Sequence, residues 1–257
     1  MEQCLFDLSG QRALVTGASR GIGRAIAEGL ASYGADVALV ARSEEQLAAA
    51  ALGIANATGR RVWVFPADLG DLDAIPGLFD VIVRQAGGVD ILVNAAGTTF
   101  RGPSEDLELA QFDPVMALNL TCPLLLSQAM CRYCKAVGRP GRIINIASLL
   151  CHAARPTIAA YTSSKMALVG LTKTLAVEWA RYNISVNAIA PGYIRTDLTA
   201  ALQADPAFDR WVLSRTPLGR WGLPEDLVGV AVLLASEAGS FITGQVFYVD
   251  GGWSAAL

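Results

Sequence analysis

The chain has 257 residues, which suits one large α/β domain or two small ones and is long enough to bury a substantial core. Its net charge of -3 and 17% charged residues exclude the clustered Lys and Arg of a nucleic-acid footprint, while 53% hydrophobic residues hint at apolar surface buried between subunits. No apolar run reaches the length of a membrane span, Pro123 to Met130 being too short, and Met1 to Leu5 carries no basic-then-apolar signal, so a cytoplasmic location is expected.

In chain order, strands and helices alternate. Arg12 to Val15 is a short apolar strand that ends at a glycine-rich turn, and Gly21 to Tyr33 reads as a helix closed by Gly34. A second strand, Asp36 to Ala41, precedes an alanine-rich helix from Glu44 to Thr58, closed by Gly59. Val62 to Phe65 is a third strand, followed by a helix over Leu72 to Ala86, and Ile91 to Val93 is a fourth. One long helical region covers Glu108 to Val137, then Arg142 to Ile146 forms a fifth strand. A helix carrying Tyr161 runs to Tyr182, with Leu168, Leu171, Leu175 and Trp179 at three- and four-residue steps. Ile184 to Ile189, a helix over Pro224 to Ser236, and a seventh strand, Val246 to Val249, complete the order. Apolar strands alternating with helices predict a parallel sheet covered on both faces, a doubly wound Rossmann-type α/β fold in a single domain spanning 1–257. The stretch 193–222 breaks the alternation, and an excursion of that length predicts a small substrate lid.

Five cysteines, an odd number with no framework spacing, suit a reducing compartment. Cys131 and Cys134 form a C-x-x-C, but there is no second pair and the one histidine is His152, so buried structural thiols are expected and no metal site.

Three groups of residues carry candidate chemistry. Thr16-Gly17-Ala18-Ser19-Arg20-Gly21-Ile22-Gly23 lies between the first strand and the first helix, where glycines let backbone approach a pyrophosphate at a helix N-terminus. Tyr161 and Lys165 are four residues apart and share a helix face; an ammonium beside a phenol favours the phenolate and lowers its pKa. On its own the pair also fits a surface tyrosine packed on a lysine stem. The end of the second strand, Ala41-Arg42, lacks the carboxylate that would bind a ribose 2′-OH, and Arg20 and Arg42 suit a 2′-phosphate; both also fit solvated surface arginines.

Taken in order with Asn94-Ala95-Ala96-Gly97, Ser148 and Pro191-Gly192, these motifs resemble the short-chain dehydrogenase/reductase family over nearly the whole chain. Ala95 stands where the family usually has a second asparagine. The resemblance implies an NADP(H)-dependent oxidoreductase that interconverts a secondary alcohol and a ketone, with Asn119, Ser148, Tyr161 and Lys165 as its catalytic group. It implies cofactor contacts from Gly17, Ser19, Arg20, Gly21, Ile22, Gly23, Arg42, Asp68, Leu69, Asn94 to Gly97, Tyr161, Lys165, Pro191, Gly192, Ile194 and Thr196. It also implies a homotetramer. Asp68 reads alternatively as a helix N-cap, and Asn119 as a helix-interior polar residue bonded locally. The patterns Gly97 to Arg101, Gly219 to Pro224 and Val249 to Trp253 are similar to gluconate 5-dehydrogenase-like members, so a sugar acid or polyol is the expected substrate. The alternatives are a 3-oxoacyl-carrier-protein or broad carbonyl reductase, and a non-catalytic NADP-binding sensor. Arg101, Leu150, His152, Arg155 and Tyr193 are substrate candidates, with Arg101 and Arg155 suited to an anionic group; each arginine also fits a surface salt bridge, and His152 a spectator in its loop. Leu198, Leu202, Phe208 and Trp211 either seal the pocket or pack between subunits.

Overall fold

The computed structural model describes residues 4–256. Seven strands form one all-parallel sheet: β1 (Arg12–Thr16), β2 (Asp36–Ala41), β3 (Val62–Pro66), β4 (Ile91–Asn94), β5 (Gly141–Ile146), β6 (Ile184–Pro191) and β7 (Val246–Val249). They lie in the order β3-β2-β1-β4-β5-β6-β7. The order reverses between β1 and β4, which pair with Val15 opposite Val93, and such a switch point opens a crevice at the carboxyl ends of the strands. The central strands β4 and β6 are buried along their whole length, because helices cover both of their faces.

On one face lie α1 (Gly21–Ser32), α2 (Glu44–Thr58) and α9 (Val228–Ala235), whose Ile26, Leu30, Leu47, Ile54 and Leu234 meet Leu39, Val93 and Ile144 of the sheet. On the other lie α3 (Ile75–Ala86), α5 (Cys122–Val137) and α6 (Ala159–Trp179), where Phe79, Ile82, Leu126, Met130 and Leu175 bury Leu14, Leu92 and Val186. Cys122, Cys131 and Cys134 belong to this second core, and burial pushes the Cys122 and Cys134 thiols up to about 12 and about 11, as inert structural thiols require.

The helical region expected over Glu108 to Val137 contains a local departure. α4 (Leu109–Met116) passes into a π-helical turn, Ala117–Thr121, before α5. The N–H of Cys122 bonds to the carbonyl of Ala117, five residues back. Pro123 supplies a reason: it has no N–H to give to the carbonyl of Asn119, so the regular ladder fails there. Leu109–Val137 is, by length and composition, apolar enough to cross a membrane, contrary to the sequence expectation; half of its most apolar window is buried within the protein, as in a core helix.

Between β6 and α9 the chain makes the expected excursion, with two short helices, α7 (Ala200–Gln203) and α8 (Pro206–Arg215). An aromatic cluster holds it. The Tyr193 ring lies 5.6 Å from Phe208, 5.8 Å from Trp211, 5.7 Å from Trp221 and 4.9 Å from Trp253. Trp221 is fully buried, and its indole N–H donates to Asp209 Oδ1 at 2.7 Å.

Candidate active site

The crevice is built from strand ends. Thr16 closes β1 with a buried hydroxyl that accepts the N–H groups of Ala95 and Ala96 at 3.0 and 3.1 Å and donates to Val93 O at 3.3 Å. This ties the glycine-rich turn to the end of β4. Gly17 has φ +64°, and a Cβ there would lie 2.9 Å from the backbone of Ala96; a Cβ on Gly23 would collide with the Gly17 carbonyl. Both glycines are therefore required by close approach of backbone. The N-terminus of α1 has no side-chain cap and no acid in its first turn, so its free N–H groups face an approaching anion. A cofactor pyrophosphate fits this cradle. Ser19 and Ile22 flank it, half-buried.

The remaining cofactor candidates divide. Arg42 is exposed at the end of β2 and makes no ion pair or side-chain hydrogen bond among the described residues, whereas Arg20 donates to Asp197 at 2.9 Å. Asp68 caps no helix; its Oδ1 accepts the N–H of Gly70 at 2.9 Å in an Asx turn, and the Leu69 side chain enters the core. The Asn94 side chain turns into the sheet, donating to Asn145 Oδ1 at 2.8 Å, and Asn145 in turn donates to Thr172 of α6 at 2.9 Å. It thus serves the sheet rather than the crevice. Pro191 ends β6, Ile194 is buried, and Thr196 is fixed by hydrogen bonds with Thr199.

Asn119, Ser148, Tyr161 and Lys165 are brought together from the π-turn, the end of β5 and one face of α6. Asn119 is fully buried: its Oδ1 accepts Thr98 N–H at 2.9 Å, and its Nδ2 donates to Thr98 O at 2.9 Å and Ser164 Oγ at 3.0 Å. These partners include a loop and another helix, so the reading of a locally bonded helix residue does not hold. A Cβ on Gly97 would lie 3.3 Å from Asn119 Oδ1 and 3.6 Å from Lys165 Nζ, which puts Gly97 beside both. Lys165 Nζ donates to Ile146 O at 2.7 Å and sits 5.8 Å from the Tyr161 ring centroid. Ser148 Oγ accepts Leu150 N–H at 3.2 Å and hydrogen-bonds Tyr161.

The electrostatics correct one expectation. Lys165 was expected to depress the Tyr161 pKa, but burial dominates and raises it, opposed by the hydrogen bond from Ser148 and the charge of Arg101. Burial also lowers Lys165 to about 8, so its ammonium is itself easily discharged. Burial thus favours the neutral phenol, beside an amine whose pKa is brought down to about 8.

A cleft opens over Ser148 and Tyr161. Arg101, Leu150, Arg155 and Tyr193 line it, as do Gly192 and the excursion residues Leu198 and Leu202. Arg155 lies over the Phe208 ring at 4.3 Å and hydrogen-bonds Tyr193, while its charge lowers the pKa of Arg101 after desolvation. His152 does not line the cleft; it meets Tyr248 edge-on at 6.1 Å, as a spectator would. Phe208 and Trp211 belong to the aromatic cluster rather than to the cleft wall. Sequence reasoning named Thr16 only as the first residue of the glycine-rich motif, with no role for its hydroxyl, and did not single out Asp197 as the partner of Arg20. A polar residue closing an apolar strand was the available signal for Thr16; nothing local marked Asp197.

The enoyl-(acyl carrier protein) reductase family model matches residues 17–254. The chain is 46% identical over 253 residues to gluconate 5-dehydrogenase of Gluconobacter oxydans, covering 98% of each chain. The chain belongs to the short-chain dehydrogenase/reductase family. As such it is an oxidoreductase acting on CH–OH groups. This dehydrogenase/reductase is also 42% identical over 255 residues to 2-dehydro-3-deoxy-D-gluconate 5-dehydrogenase of Escherichia coli, covering 97% of this chain and 98% of that one. A solved gluconate 5-dehydrogenase from Burkholderia cenocepacia, in complex with NADP and tartrate, superposes with a TM-score of 0.94 at 41% identity and 98% coverage of both chains.

Proposed function

We propose that this dehydrogenase/reductase interconverts a secondary alcohol and a ketone on a sugar acid, using NADP(H). The observation that carries the reading is the convergence of Arg101 and Arg155 on the cleft that holds Ser148 and Tyr161. Two guanidiniums lining one cleft suit a substrate carboxylate, and the Ser–Tyr pair lining the same cleft suits a reacting oxygen. The relatives support it: two act on gluconate-type acids by name, and the Burkholderia enzyme was solved with tartrate, a hydroxy dicarboxylate.

In the reducing direction, Ser148 Oγ hydrogen-bonds the substrate carbonyl oxygen and Tyr161 Oη delivers its proton to it. Lys165, low in pKa, replenishes that proton, and Asn119 fixes the Thr98 loop and Ser164 beside it. The cofactor, when bound, supplies the hydride to the carbonyl carbon. The uncapped N-terminus of α1 would hold its pyrophosphate, and Arg42 with Arg20 its 2′-phosphate. NADP in the Burkholderia complex supports that choice. The excursion 193–222 acts as the lid, since Leu198, Leu202 and Tyr193 already line the cleft. A homotetramer in the cytoplasm completes the reading: Met166 and Val177 on α6, Leu109, and Phe241 beyond α9 are exposed apolar residues that subunit contacts would cover, and the five free thiols suit a reducing compartment.

The test is NADPH oxidation with 5-keto-gluconate, neutral ketoses and an acetoacetyl thioester. The keto acid is expected to be preferred, and Arg101→Ala to raise its KM roughly tenfold or more, the cost of a lost charged hydrogen bond, with the KM of neutral ketoses unchanged. Preference for the thioester would overturn the substrate class. NADPH binding with no ketone reduced would favour a sensor.

A further inference from the structure

Arg20 and Arg42 are equivalent in charge but not in circumstance. Arg42 is unpaired among the described residues, while Arg20 Nη1 donates to Asp197 Oδ2 at 2.9 Å, across 177 positions of sequence. Asp197 opens the turn Asp197–Thr199 at the base of the excursion. That turn is held without Arg20: Thr199 Oγ1 donates to Ile194 O at 2.7 Å, and Gln203 Nε2 donates to Thr199 Oγ1 at 2.9 Å. The glycine-rich turn also approaches it directly, since a Cβ on Gly21 would lie 3.5 Å from Thr196 Cγ2. The backbone turn that carries Asp197 is therefore held beside the cofactor cradle by its own framework, and Arg20 is the partner its carboxylate meets there. The side chains of Arg20 and Asp197 are 63% and 70% exposed, so an incoming anion can reach the pair.

We propose that Asp197 is a cofactor-discriminating residue, whose carboxylate competes with the 2′-phosphate of NADP(H) for Arg20. The proposal rests on the assignment of Arg20 to that phosphate. A guanidinium facing a carboxylate must exchange it for the phosphate, or bring two anions together; either way the phosphate-bearing cofactor bears a cost that NAD(H) does not. An exposed ion pair is weak, so the competition is worth about two- to fivefold in affinity. Asp197 thus moderates the preference set by Arg20 and Arg42.

Dissociation constants for NADPH and NADH, read from the fluorescence of the bound nucleotide, test this on the whole chain. Asp197→Asn is expected to tighten NADPH about two- to fivefold and leave NADH unmoved. In an Arg20→Ala background the same substitution is expected to change neither, which a double-mutant cycle isolates. Equal tightening of both cofactors would overturn the proposal, because it would mean a general field effect. Weaker NADPH binding would also overturn it, because Asp197 would then be orienting Arg20. Arg20→Ala alone separates the two readings. Unchanged NADPH affinity would overturn the phosphate assignment and the proposal with it. Weakened NADPH affinity with no response to Asp197→Asn would overturn the competition alone.

Discussion

At the scale of residues, the site depends on two groups whose titration is set by burial. Tyr161 is raised and Lys165 is lowered to about 8, both with desolvation as the largest cause. Tyr161→Phe keeps the ring but removes the proton donor, so kcat should fall by roughly 10²–10⁴-fold while NADPH binding persists, as steady-state kinetics and nucleotide titration would show. The lysine makes a separate prediction about stability. Because its folded pKa of about 8 lies below its ordinary 10.5, the unfolded chain binds more protons between those values, and stability rises with pH there. The penalty for burying the charged amine is full below about 8 and relieved toward 10.5. Wild type should therefore gain stability relative to Lys165→Met as pH rises from 8 to 10, in thermal unfolding; a constant difference would refute the depressed pKa. The spacing of Tyr161 and Lys165 was legible in sequence, but the direction of the phenol's shift was not. It depends on how many atoms from β5, α6 and the loops crowd the site, and no local pattern records that.

At the scale of elements, the excursion is held by an aromatic cluster centred on Tyr193. Trp221 is its most buried member and carries the bond to Asp209. Trp221→Ala should cost about 3–5 kcal/mol in denaturant unfolding if the excursion unfolds with the rest of the domain. Trp211→Ala, partly exposed, should cost distinctly less. An equal effect of the two would show that the cluster does not anchor the excursion. The breadth of the excursion was readable from its prolines and its place between β6 and α9. The aromatic packing was not, because Trp253 reaches Tyr193 from the far end of the chain. The π-turn at Asn119 had a signal in Pro123, but a proline early in α5 is also an ordinary helix start, and only the five-residue bond to Ala117 separates the cases.

For the whole molecule, the apolar residues left exposed on α6 and beyond α9 make the assembly testable. Val177 and Phe241 are among the most exposed large apolar side chains described. Wild type should sediment as a tetramer, and Val177→Glu or Phe241→Asp should shift it toward smaller species through desolvation of a charge at a subunit contact. A monomeric wild type would overturn the assembly.

What the sequence determined by itself was the order of strands and helices, the glycine-rich turn after β1, and the two-residue signature of Tyr161 and Lys165. These are local: periodicity, turn chemistry and helix spacing act over a few residues. Only the tertiary structure decided that Thr16 holds the backbone of Ala95 and Ala96, that Asn94 serves the sheet while Asn119 serves the crevice, and that Arg20 meets Asp197. Each of these joins groups far apart in sequence. They come within reach only because a parallel sheet with its strand order reversed at β1 and β4 gathers loops from separate crossovers at one edge.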